Sequence, residues 1–266
     1  ELETRGIGEL ILQLVDQGVK TICVGIGGSA TNDGGIGMAA GLGVDFYDEQ
    51  GHLLRPVGAS LGRVARIDTS AVPKALEDIE LQVLTDVTNP LCGSQGATYI
   101  FGGQKGLNPL LFPAVDQAMQ DFYQLADARI LSMAGAGAGG GMAAGLVAFA
   151  GGQISSGIEK SLDLIDFDHK VQKADLVVVG EGRMDLQSLS GKAPVGVAKR
   201  TPEKIPVLAI CGSLAEDLPA FPSHHIEAAF SIVPGPCEVA DALAHAERNL
   251  ISCARNIGNL LKMKAN

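Results

Sequence analysis

Four stretches of this chain set charged and polar residues among glycines directly after apolar runs. The strongest reads Val177-Val178-Val179-Gly180-Glu181-Gly182-Arg183-Met184-Asp185. Its apolar start predicts a buried strand that delivers Glu181, Arg183 and Asp185, at alternate positions, into one glycine-rich turn. Acid, base and cation so spaced suit phosphoryl transfer, which depends on positioning and on neutralising charge. A carboxylate there can accept a hydroxyl proton or hold Mg²⁺ through its oxygens. Arg183 can grip a carboxylate or a phosphate with two parallel N–H bonds. The plain alternative is a surface ion pair at a turn. Gly191-Lys192-Ala193-Pro194 follows at the next helix start and makes Lys192 a second candidate cation.

The second stretch is Gly27-Gly28-Ser29-Ala30-Thr31-Asn32-Asp33-Gly34-Gly35. A strand–glycine–helix turn offers backbone N–H groups to an anion. Ser29, Thr31 and Asn32 add donors, and Asp33 adds a carboxylate; a tight turn with Asp33 as helix N-cap is the simpler alternative. The same loop contains Gly25-x-Gly27-x-x-Ala30, with Asp45 about twenty residues on, which fits a dinucleotide fingerprint and keeps an NAD-dependent oxidoreductase open. Against that, Asn32-Asp33-Gly34-Gly35 falls where the fingerprint's helix should be running.

A third stretch, Thr85-Asp86-Val87-Thr88-Asn89-Pro90-Leu91-Cys92-Gly93, ends a predicted strand and makes Asp86 a metal or substrate candidate with Asn89 beside it, or else part of an Asx turn leading into Asn-Pro. The fourth, Phe101-Gly102-Gly103-Gln104-Lys105-Gly106, frees Lys105 to meet a phosphate as a point charge. No GxxxxGK[ST] loop and no G-x-S-x-G elbow occurs, and the five histidines show no metal spacing.

The elements that must position these residues alternate. Apolar spacing predicts a helix through Ile7–Val15, strands at Thr21–Ile26, Val44–Tyr47 and Leu81–Thr85, and helices at Gly34–Leu42, Pro109–Ala128 and Met142–Phe149. Strands at Leu176–Val179, Val207–Cys211 and Ala228–Val233 follow, with a helix at Pro194–Lys199 and a closing amphipathic helix over Val239–Leu261. Such alternation means a mostly parallel sheet covered by helices. A charged stretch at Asp166–Lys173 marks the expected domain boundary. Only about three strands follow it, fewer than the usual five or six, which suggests that strands from an N-terminal part are absent.

Glycine supplies 35 of the 266 residues, against 46% hydrophobic and 19% charged, so a real core is available and backbone can approach a ligand closely. A net charge of −10 argues against nucleic acid or an anionic membrane as partner. Five scattered cysteines without a CxxC pair, and no leader or spanning segment, point to the cytoplasm, with Cys23 and Cys211 expected as small core residues.

Taken in order, GIGGSATNDGG, TDVTNPLCG, GGQKG, GAGAGGGMAAG, VVVGEGRMD and GKAPVGVAK resemble the bacterial type I glycerate kinases over essentially the whole chain. The resemblance implies an α/β fold of two domains. Residues 1–168 correspond to a mixed-sheet inserted domain and residues 169–266 to the C-terminal part of a Rossmann-like parallel-sheet domain, with the active site between them. It implies ATP and Mg²⁺ as cofactors and D-glycerate as the small-molecule substrate, with a homodimer left open as the assembly. The product is 2-phosphoglycerate, or else 3-phosphoglycerate. Family members begin with a strand ending in Asp-Ser-Phe-Lys, which nothing here matches, so an inactive fragment of such a kinase stays open too. On this resemblance Asp185 or Glu181 accepts the glycerate hydroxyl proton, and Arg183 and Lys105 neutralise the carboxylate and the transferring phosphoryl group. Asp86 helps hold Mg²⁺. Gly27, Gly28, Ser29, Thr31, Asn32, Asp33 and Lys192 bind substrate or phosphate.

Overall fold

The structure, a computed structural model, describes residues 2–189 and 193–264. They form two compact units that divide between residues 157 and 158.

In the first unit, β1 (Thr21–Gly25), β4 (Glu80–Leu84) and β5 (Gln153–Ser155) form a parallel sheet in the order β1-β4-β5, while β2 (Asp45–Tyr47) and β3 (Arg66–Asp68) pair antiparallel in a separate sheet. The mixture of strand directions is therefore divided between two sheets. Helices Arg5–Asp16, Ile36–Gly41 and Ala138–Ala150 pack around the parallel sheet, and their apolar faces join Ile22, Leu81 and Val83 in the core. Phe46, Phe122 and Phe149 meet there edge-on or tilted, with Phe46 and Phe122 centroids 5.6 Å apart. The long helix begins at Phe112 rather than Pro109, because Pro109–Leu111 forms a 3₁₀ turn capped by the Asn108 side chain. Cys23, expected in the core, is exposed: the alternation of β1 buries Ile22 and turns its neighbour outward.

The second unit holds β6 (Val177–Met184), β7 (Val207–Leu214) and β8 (Ala228–Ser231), all parallel in the order β6-β7-β8. Its core gathers Val179, Met184, Val195, Val207, Ala209 and Cys211. Strand β6 runs five residues beyond the expected end at Val179, because Gly180 pairs with Ile210 in the ladder and Gly182 lies within the strand instead of making a turn. A Cβ on Gly180 would come within 2.6 Å of the Ile210 carbonyl oxygen, so glycine serves close strand packing here. The closing helix is two helices, Val239–Ala244 and Ala246–Lys264, which meet at His245.

The division between units falls before the expected charged stretch. Arg200 explains why: its guanidinium pairs with Glu159, Asp163 and Asp168, tying helices Gly157–Leu164 and Phe167–Val171 to the second unit. Asp168 accepts two N–H bonds of 2.8 Å, which hold its carboxyl below the usual carboxylate range.

Candidate functional site

In the first unit the loops that leave β1 and β4 open together at the carboxyl ends of the parallel strands, where open α/β sheets take ligands. They enclose a cavity of about 370 Å³ lined by Gly27, Gly28, Ser29, Asp86, Gln104 and Lys105, among others. A Cβ on Gly27 or Gly28 would meet nothing within 4 Å, so the backbone of this turn faces open space. Lys105, presented by the 3₁₀ turn Gly103–Lys105, donates from Nζ to Ser29 Oγ (2.9 Å) and to the Thr31 carbonyl (2.8 Å). Burial lowers its ammonium pKa from the ordinary lysine value, and the negative charge of Asp33 opposes that shift. The result is one half-buried cation anchored by two oxygens beside glycine backbone, an arrangement that attracts an anion.

The structure separates the other residues of this loop. Asp33 is turned inward and only 2% exposed. Its Oδ2 accepts from Thr4 Oγ1 (2.7 Å) and its Oδ1 from the Gly35 N–H (3.0 Å), so its carboxylate braces the turn. Asn32 donates from Nδ2 to Thr98 Oγ1, while its buried Oδ1 has no hydrogen-bond partner among the described residues. Asn32 and Thr31 border a second cavity of about 350 Å³, which also reaches Lys105. Tyr123, fully buried, donates to the Gly34 carbonyl at 2.6 Å, and burial pushes its phenol pKa well up.

The wall opposite this loop is built by residues absent from the sequence-derived set. Gly139, Gly140 and Gly141 all have positive φ. A Cβ on Gly140 would stand 2.1 Å from the Thr31 carbonyl and 2.9 Å from Lys105 Nζ, so only glycine fits beside the anchored lysine. The run Gly135–Gly141 was the available signal, but it names no partner.

Asp86 is exposed at the end of β4, and Ser156 Oγ lies 3.4 Å from its Oδ1. No group of three or more His, Cys, Asp or Glu side chains that could hold a metal ion occurs among the described residues. Mg²⁺ commonly takes one or two carboxylates plus phosphate oxygens and water, and the Asp86 carboxylate, lining a cavity that also attracts anions, fits that mode.

The dinucleotide alternative fails on topology. The helix after Gly25–Ala30 begins only at Ile36, and Asp45 sits on β2, in the antiparallel sheet rather than beside β1.

In the second unit Glu181 and Arg183 sit in β6, paired with Cys211 and Ser213 of β7. Alternation sends both toward one face of the sheet. Glu181 is partly buried, and its Oε1 has no hydrogen-bond partner among the described residues. Arg183 is exposed. Asp185 begins the short helix Leu186–Leu189: its Oδ1 accepts from the Ser188 N–H at 2.9 Å, and Ser188 Oγ accepts from the Asp185 N–H at 3.2 Å. Lys192 lies outside the described residues. No helix among the described residues is long and apolar enough to cross a membrane.

Known proteins resemble this chain along its length. The model of the glycerate kinase family matches residues 1–262. A glycerate kinase of Neisseria meningitidis serogroup B is 56% identical over 263 residues, covering 99% of this chain and 71% of that protein. One from Bacillus subtilis is 42% identical, covering 98% of this chain and 69% of the relative. A glycerate 2-kinase of Escherichia coli K12 is 39% identical, covering 97% and 69%. Among solved structures, a crystal structure assigned to glycerate kinase 2 from Salmonella typhimurium LT2 superposes with a TM-score of 0.79 at 40% identity, over 99% of this chain and 70% of that one.

Proposed function

The chain belongs to the glycerate kinase family and is an ATP-dependent kinase acting on glycerate, and we propose that it phosphorylates the 2-hydroxyl of D-glycerate by direct in-line transfer with Mg²⁺. The name of the Escherichia coli relative supports the 2-position. In such a transfer the substrate hydroxyl oxygen forms a bond to the γ-phosphorus while the bond from that phosphorus to the β,γ-bridging oxygen breaks. The bridging oxygen leaves with its electron pair on ADP, and the hydroxyl proton needs an acceptor.

Asp185 takes that proton. It lies beyond the end of β6, whereas Glu181 lines an apolar cavity of its own unit. Arg183, exposed and two residues before Asp185, pairs with a carboxylate or phosphoryl oxygen. Lys105 neutralises anionic charge in the first unit, and Ser29 with the open backbone of Gly27 and Gly28 completes that cradle. Asp86 would help hold Mg²⁺, which neutralises the charge that develops on the phosphates. The homodimer and the cytoplasm remain parts of the same proposal, as do the inserted and Rossmann-like characters of the two units.

The observation that best supports the chemistry is the Lys105 ammonium, half buried and anchored at 2.8 and 2.9 Å beside glycine backbone. The test is ADP release from Mg-ATP with and without D-glycerate, with the product's phosphate position read by phosphorus NMR. Turnover that needs glycerate and yields the 2-phosphate is expected; a 3-phosphate product would refute the positional assignment.

A further inference from the structure

A cavity of about 690 Å³ opens at the carboxyl ends of β6, β7 and β8 in the second unit. Ile232, Val233, Leu243 and Leu250 make its wall largely apolar, and among the described residues no lysine or arginine lines it. At its rim Val239 and Leu243 are 74% and 72% exposed, bare apolar surface that a flat ring could cover.

One group in this cavity calls for a ligand. Glu181 lines it with a carboxylate whose Oε1 is buried and lacks a partner among the described residues. An unmet buried acceptor is costly, and more so when charged, so the place favours a bound hydrogen-bond donor. Without a cation the cavity suits neither a phosphate nor the carboxylate of a small acid. Its volume, inside the range of drug-sized ligand sites, also far exceeds what a three-carbon acid needs. The fitting ligand is uncharged, has an apolar face, and carries N–H or O–H donors. A purine nucleoside meets all three conditions, with its base against the apolar wall and its ribose hydroxyls or exocyclic amine donating to Glu181. Ligands of open parallel sheets also sit at this end of the strands.

We infer that this cavity binds the adenosine portion of the phosphoryl donor, with Glu181 Oε1 accepting its hydrogen bonds. The inference rests on the proposed kinase activity only for the identity of the donor.

The experiment uses the 266-residue chain with methyl groups labelled for NMR and three probes: adenosine, ADP and inorganic tripolyphosphate. Adenosine and ADP should shift the methyl signals of Val233, Leu243 and Leu250 and leave those of Leu84 and Val87, in the first unit's cavity, in place under adenosine. Tripolyphosphate should not move the second unit's signals. Ala242→Trp, which projects a ring into the cavity from a helix, should raise the Kd for ADP at least roughly tenfold. Adenosine-induced shifts at Leu84 and Val87 alone, or no binding of adenosine or ADP, would overturn the inference. So would an Ala242→Trp chain that folds and binds ADP unchanged; if that variant fails to fold, the methyl mapping of the unmodified chain decides. Adenosine bound in the cavity without glycerate-dependent ADP release would refute the kinase activity and leave the nucleoside site standing.

Discussion

Asp185 can be tested so that its chemistry and its structural service come apart. Its Oδ1 accepts from Ser188 at 2.9 Å, closing the start of the helix Leu186–Leu189. Losing such a cap costs about 1 kcal/mol, whereas asparagine caps as well as aspartate does. Asp185→Asn therefore keeps the turn and removes the negative charge and the proton acceptor. If Asp185 is the general base, kcat falls by about 10²–10⁴ in Asp185→Asn, equivalent to roughly 3–5 kcal/mol of barrier. Unfolding of that variant should stay close to that of the parent. Asp185→Ala should lose the same activity and also melt roughly 2–4 °C lower. The assay is initial-rate ADP release at saturating Mg-ATP and D-glycerate, beside thermal unfolding of all three proteins. A kcat for Asp185→Asn within tenfold of the parent would refute the base assignment. If Asp185→Ala alone were then inactive, the residue would act through the cap.

Lys105→Met removes the anchored cation, and kcat/KM for the anionic substrate should fall roughly 10–100-fold, as expected for a lost charged hydrogen bond; unchanged kcat/KM would free Lys105 of any role. Because burial lowers the Lys105 pKa, the alkaline limb of the parent's kcat/KM profile should lie below 10.5, and a limb at or above that value would show that the ammonium is not required. Gly140→Ala must take a Cβ at φ 73° and 2.1 Å from the Thr31 carbonyl. Backbone strain of about 1–2 kcal/mol and overpacking of about 1–3 kcal/mol should then lower its urea midpoint, and a parental midpoint would mean that the loop yields freely. Burial, with Asp116 and Asp121 nearby, pushes the Cys92 thiol from 9.0 up to about 12. The unfolded chain gives up this proton first, so stability should fall as pH rises from 9.0 toward about 12; Cys92→Ala should flatten that loss in urea titrations, and an unaltered slope would assign it to other groups.

Much of the frame was legible in the amino-acid order. Short apolar runs placed β1, β4, β7 and β8 to within a few residues, because buried parallel strands need continuous apolar character. The same order put Ser29, Asp86 and Lys105 on loops, and the resemblance of six motifs to one family indicated the chemistry. Three-dimensional packing decided the rest. Glycine signals a turn and a tightly packed strand equally well, so the extension of β6 through Gly180 and Gly182 emerged only from its ladder with β7. Whether a polar residue faces ligand or core depends on partners distant along the chain. Thr4, 29 positions away, draws Asp33 inward, and Ser29, 76 positions from Lys105, anchors its ammonium. No local pattern encodes those distances; they arise when separate elements pack and each buried polar atom must find a partner.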